Sequence, residues 1–238
     1  MMAASTAFPF ARTAAAFAAY ERNAREAVCW AHPSWLAGAL GVEAGALEGL
    51  RAALASAARA QVEACSLALL RTLGVQAPSF DALRAPNLAV LDALPPQWGL
   101  RVLRMRSLAL RRADVRRLID KRNRMQLSEC VGVPLDKLTG GTSGTANAPD
   151  IARLTARGLL PALDRLDADT LAYEGYALMT RDARSIAAPF ALLRLVLPRD
   201  LPASPWLDDG GRELDAGGTA QLVARLPELL PEWAWLFG

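Results

Sequence analysis

A chain of 238 residues with a net charge of only +3 and 53 % apolar side chains can bury about 70 % of its unfolded surface, so its core needs neither disulfide nor metal staples. Alanine and leucine supply 88 residues, against 14 for valine and isoleucine. Helix formers so outweigh strand formers that the expected fold class is all-α, an irregular multi-helix globular bundle.

Three scattered cysteines, Cys29, Cys65 and Cys130, do not make a disulfide framework and fit a reducing compartment. No uncharged apolar run reaches the roughly 18 residues of a membrane span. The first twenty residues are apolar, but Arg12 interrupts them and no basic region precedes them, so no signal peptide is expected. The composition points to a soluble cytoplasmic protein.

In chain order, Thr13 to Trp30 reads as an alanine-rich helix whose small side chains pack on a neighbour. His32-Pro33-Ser34-Trp35 breaks it, and Pro33 opens the next helix at its first position. Glu43 to Leu73 reads as one long helix: Leu47, Leu50, Leu54, Ala58, Val62, Cys65, Leu69 and Leu73 step by three and four, and Gly74 ends it. At 1.5 Å per residue that rod is about 45 Å long, and its stripe suits either the core or a partner helix. The three cysteines fall on apolar helical faces, where a free thiol is a small buried hydrophobe. Ser79 caps one turn, Asn87 to Leu94 forms another, and Pro95-Pro96 resets the chain.

The most charged stretch follows. Arg101, Arg104, Arg106, Arg111, Arg112, Arg116, Arg117, Lys121, Arg122 and Arg124 face only Asp114 and Asp120. That segment carries +8, so the rest of the chain carries −5. Leu100, Leu103, Ser107, Leu108 and Leu110 recur at helical spacing, as do Val115, Leu118 and Ile119. Asp114 caps the second helix or lies in its first turn, and Gln126 to Gly132 forms a third. Three readings stay open. One is a docking face for an acidic protein or for anionic lipid, using Arg104, Arg111, Arg112, Arg116, Arg117, Lys121 and Arg122. Another is a helix-turn-helix-like regulator that binds nucleic acid through segment 101–138, with LSECVGVPLDKL as turn and second helix. The third is a solvated face on core helices.

Thr139 to Pro149, with three glycines and no charge, reads as a loop joining possible subdomains 1–138 and 150–238 of a single helical domain. Asn147 caps a helix running to about Arg157. Leu160 to Leu166 and Thr170 to Thr180 follow as helices, with Asp167 or Asp169 as a cap. Ala188 to Leu197 is ambiguous between helix and strand, and Asp208 to Gly218 is a second polar loop. Thr219 to Arg225 reads as a short helix broken by Pro227 and Pro231. The aromatic end from Trp233 to Gly238 is expected to pack on the body; an exposed partner-binding peptide is the alternative.

Catalytic signatures are missing from the sequence. His32 is the single histidine, no G-x-S-x-G elbow occurs, and neither CxxC nor HxxxH is present. Gly140, Gly141 and Gly144 lack the GK[ST] ending of a phosphate loop. The pairs Asp167/Asp169 and Asp208/Asp209 read as caps and loop residues. The chain is therefore expected not to be an enzyme and to use no cofactor or metal.

Five segments in order, LRVLRMRSLALRRADVRRLIDKRN, LSECVG, LAYEGYALM, FALLRLVLPRDLP and PEWAWLFG, resemble the SctK/YscK family of type III secretion proteins, in particular the plant-pathogen-type branch. The likeness runs from about Trp30 to the C-terminus. It implies a cytoplasmic accessory protein of the sorting platform, without enzymatic activity or cofactor. Such a protein connects the cytoplasmic side of the inner-membrane ring to the pods that carry the export ATPase complex. The implied partners are the pod protein and the cytoplasmic domain of the ring. The resemblance implies no small-molecule substrate and only indirect membrane contact.

Overall fold

The computed structural model describes residues 10–84, 88–140, 155, 160–183, 190–203 and 214–238. Within them every regular element is helical, so the fold is all-α. The helices are α1 (Phe10–Arg25), α2 (Ala27–Trp30), α3 (Pro33–Leu40), α4 (Leu47–Ser56), α5 (Arg59–Thr72), α6 (Phe80–Arg84), α7 (Pro96–Leu110), α8 (Arg112–Arg117), α9 (Lys121–Val131), α10 (Leu135–Thr139), α11 (Ala168–Asp182), α12 (Gly218–Leu229) and α13 (Ala234–Phe237). Short 3-10 turns cover Leu88–Ala93 and Leu193–Val196, so the apolar stretch near residue 190 is neither α-helix nor strand. The chain divides into two compact units: Met1–Gly99 with Ala188–Leu201 and Trp235–Gly238, and Leu100–Ala187 with Pro202–Ala234. The divisions do not fall at the glycine loop. Positions 141–149 and the expected helix from Asn147 to Arg157, apart from Thr155, lie outside the described residues, as do Asp208 to Gly211.

In the first unit α1 packs on α5, α6 and the 88–93 turn, and α5 also on α2. Ala16, Ala19 and Ala24 are the buried side of α1, where their small side chains admit the neighbours. Pro33 starts α3 as expected, with His32 as its N-cap accepting from the Ser34 N–H at 3.3 Å. Ser79 likewise caps α6, accepting from the Ala82 N–H at 3.1 Å.

The expected rod from Glu43 to Leu73 is two helices. Ala57 and Ala58 are extended, with ψ of 152° and 146°. Gln61 Oε1 accepts the Ala58 N–H at 3.1 Å, and Ser56 Oγ donates to the Ala53 carbonyl at 3.1 Å. The break lets Leu47 and Leu54 of α4, and Leu69 and Leu70 of α5, enter one core with Tyr20, Val28, Leu36 and Leu195. A straight rod would carry one of those pairs past the core.

The buried line on α5 passes through Ser66 rather than Cys65, and Cys65 and Cys29 are exposed, contrary to expectation. The reason is a hydrogen bond: buried Ser66 Oγ accepts the Val28 N–H at 3.1 Å. That donor has no helical acceptor in the first turn of α2, and a thiol is a poor substitute.

A carboxyl with no cation partner among the described residues stitches this unit together. Fully buried Asp92 accepts the Leu193 N–H at 2.7 Å and the Leu192 N–H at 3.2 Å. Asn23 Nδ2 donates to the Asp92 and Leu94 carbonyls at 2.9 and 2.7 Å. Burial raises the Asp92 pKa from 3.8 to about 7, against the pull of the two N–H donors; burial and the nearby Asp92 raise Tyr20 to about 12. The native state therefore holds the Asp92 proton more tightly than the unfolded chain. The stability it contributes is complete below about pH 4, is lost as pH rises towards about 7, and is level above that. Chemical denaturation from pH 4 to 8 is expected to show that fall, and Asp92→Asn to flatten it. An unchanged slope in Asp92→Asn would assign the fall to other groups.

In the second unit α7 is buried on almost every side: Val102, Leu103, Met105, Leu108 and Leu110 are all at most 1 % exposed. α11 crosses it at Gly175, where an added Cβ would lie 1.8 Å from the Leu103 carbonyl oxygen. Asp167 is the α11 cap, accepting the Thr170 N–H at 2.7 Å. α12 runs on through Pro227, although the sequence reads as a break there. The missing proline N–H costs one helical bond, but burying Leu222, Leu226 and Leu229 holds the turn. Leu236 and Phe237 of the aromatic end, which belong to the first unit, are buried, so the tail packs. No helix among the described residues is long and apolar enough to cross a membrane.

Candidate functional site

The ten cations of the central stretch divide by side of the helix. Arg106 recurs in α7 four residues after Val102 and four before Leu110, and so points inward with them. Its guanidinium is fully buried. It donates to Asp215 Oδ2 at 2.7 Å, Thr219 Oγ1 at 2.8 Å and Asp182 Oδ2 at 3.4 Å. Asp182 in turn accepts from Arg181 at 2.8 Å and from the Thr219 hydroxyl. Asp215 adopts φ 54°, a left-handed conformation rare outside glycine. The next turn stays clear because residue 218 is glycine: a Cβ there would sit 2.2 Å from Asp215 Oδ2.

Arg111 is also fully buried. Its Nε and Nη2 grip Glu174 of α11 at 3.2 and 3.0 Å, and its Nη1 donates to the Pro161 carbonyl at 2.6 Å. Burial raises the Glu174 carboxyl above its ordinary value, while the Arg111 charge and hydrogen bonds pull it back down. Arg112 donates to Asp215 Oδ1 at 3.2 Å. Arg104 donates to the Ala168 carbonyl at 3.0 Å and lies 3.9 Å from Asp169. Arg124 pairs with Asp136 at 2.7 Å.

Of the seven expected partner-binding residues, Arg104, Arg111 and Arg112 are thus engaged within the molecule, and Arg111 presents nothing to solvent. An unpaired buried guanidinium is prohibitive, so each inward arginine has drawn in a carboxylate or carbonyl. The space beside Asp215 and Arg112 is about 20 Å³, room for about one water and no substrate.

Arg116, Arg117, Lys121 and Arg122 are exposed on α8 and the start of α9. Arg116 donates to the Thr139 carbonyl and is held in place. The side chains of Arg117, Lys121 and Arg122 have no ion-pair partner among the described residues. Between the two helices Ile119 is 94 % exposed, and Met125 on α9 is 55 % exposed. Ile119 was expected to share the apolar stripe of Val115. Instead α8 ends at Arg117, Leu118 is extended, and the next side chain turns outward. Asp120 then caps α9, accepting the Arg122 N–H at 3.1 Å, which starts that helix five residues earlier than its apolar pattern suggests.

Beside α9 lies an open groove of about 530 Å³ lined by Leu118, Leu127, Leu163, Leu166 and Leu171 together with Gln126, Glu129, Asp164 and Asp167. The expected helix-turn-helix segment forms the end of α9, a turn at Gly132–Pro134, and α10. α10 has five residues, of which Leu135, Leu138 and Thr139 are buried.

His32 caps α3, and its backbone N–H donates to the Leu195 carbonyl at 2.7 Å, a structural place. Among the described residues no group of three or more His, Cys, Asp or Glu is arranged to hold a metal ion.

No curated protein and no solved structure matches the chain. The family model described as bacterial type III secretion protein (HrpB4) matches residues 8–232, nearly the whole length and the first four of the five segments that resemble the type III secretion accessory proteins. The chain belongs to the HrpB4 family of bacterial type III secretion proteins.

Proposed function

We propose that this protein is a non-enzymatic cytoplasmic adaptor of the type III secretion apparatus, linking the inner-membrane ring to the pods of the sorting platform. The observation that carries the reading is the cationic surface of Arg116, Arg117, Lys121 and Arg122 around exposed Ile119. Cations left over after the interior arginines are paired, set about an apolar knob, suit an acidic protein surface: charge steers the encounter and the apolar side chain adds burial. Arg104 and Arg111 act in this reading by tying α7 and its C-terminal end to α11, and Arg112 by tying α8 to Asp215.

The test is Arg117→Glu with Lys121→Glu, both on exposed side chains, in pull-downs with the pod protein and the cytoplasmic domain of the ring. Loss of at least one partner and of secretion is expected, with an unchanged circular dichroism spectrum. Normal binding and secretion would remove the cationic surface from the adaptor. A nucleic-acid reader is disfavoured by α10, which is too short and too buried to enter a groove. Binding to duplex DNA that weakens steeply with salt would revive that reading.

A further inference from the structure

α9 carries opposite charges at the two ends of one exposed face. Lys121 and Arg122 occupy its first turn, which the Asp120 carboxylate caps. Glu129 lies in the last turn, whose Cys130 carbonyl accepts from Arg104 Nη1 at 3.4 Å. All three are exposed, and neither Arg122 nor Glu129 forms an ion pair with its side chain among the described residues. Arg122, Met125, Gln126 and Glu129 are spaced three, four and seven apart, so they share one exposed face of the helix.

We propose that a second copy of this chain packs antiparallel along that face, about a two-fold axis passing between Met125 and Gln126. The axis lies midway between Arg122 and Glu129. An antiparallel copy therefore brings Glu129 of the second copy opposite Arg122 and repeats the pair on the other side of the axis, as a self-complementary interface requires. Gln126 and Glu129 line the groove together with Leu127, Leu163, Leu166, Leu171 and the carboxylates Asp164 and Asp167. That groove receives Met125 of the second copy, exposed in the single chain. One short helix on each side is a small interface, so the dimer is weak, in the micromolar range, and sensitive to salt. Lys121 and Arg122 also belong to the surface proposed for secretion partners, so dimer and partner complex compete. Glu129 belongs to the dimer alone.

The test is sedimentation analysis of the full chain over a range of concentration. The wild-type chain is expected to move from monomer to dimer. Arg122→Glu and Glu129→Arg should each weaken dimerisation at least about tenfold, because each puts like charges together twice. An equimolar mixture of the two variants should recover a dimer, as should the double swap in one chain. Both are surface changes, and thermal unfolding checks that each variant is folded. A wild-type chain still monomeric at several hundred micromolar would overturn the proposal, as would a dimer indifferent to both reversals or single variants that the mixture fails to rescue. Glu129→Arg should leave the pull-downs intact, so failure of the dimer and failure of the adaptor reading are separable.

Discussion

Truncating Arg111 to alanine is expected to lower the free energy of unfolding by about 3–5 kcal/mol, the usual cost of breaking a buried ion pair from one side. The change strands the Glu174 carboxylate at 6 % side-chain exposure, and it leaves the Pro161 carbonyl without its 2.6 Å donor. Urea unfolding followed by tryptophan fluorescence measures the loss. Removing both charges together, as in Arg111→Met with Glu174→Leu, is expected to restore most of it, because the expensive species is the unpaired charge rather than the missing pair. If Arg111→Ala unfolded within about 0.5 kcal/mol of wild type, as surface changes do, the arginine would be solvated and the division of cations described above would fail.

Gly175→Ala comes next in size. The added methyl group would meet the Leu103 carbonyl at 1.8 Å. A backbone atom cannot turn aside as a side chain can, so α11 and α7 must separate. Forcing atoms into a packed interior costs typically about 1–3 kcal/mol and more where backbone must move. About 3 kcal/mol or more is expected here, read as a lower denaturation midpoint. Gly49 provides the control. It lies within α4 with nothing near its Cβ position, so Gly49→Ala should stabilise by up to about 1 kcal/mol through helix propensity alone. Equal effects at the two sites would mean that the helices do not approach at Gly175.

Much of the helical framework is legible in local patterns. Pro33 and Ser79 begin helices because a fixed φ and a side-chain acceptor suit a first turn whatever surrounds it, and Gly132 ends α9 in the left-handed conformation that its missing Cβ allows. The failures have a common cause. Leucine spacing continues across Ala57 and Ala58 without interruption, but the chain bends there so that two sets of leucines reach one core. Cys65 and Ser66 are neighbours on the helix, and a single backbone donor in α2 decides which is buried. Pro227 stays inside a helix because three leucines hold it there.

The candidate surface shows the same limit more sharply. Composition determines that this protein is helical, and the order of the residues that its positive charge is concentrated between Arg101 and Arg124, since propensity and net charge are sums over residues. Which of those cations meet solvent is a different matter. It depends on Glu174, Asp182 and Asp215, which lie 63 to 109 residues from the arginines they bind. Buried charge is tolerated only beside an opposite charge, and only the tertiary structure brings those carboxylates in. It thereby turned Arg106 and Arg111 into core residues and left Arg117, Lys121 and Arg122 exposed.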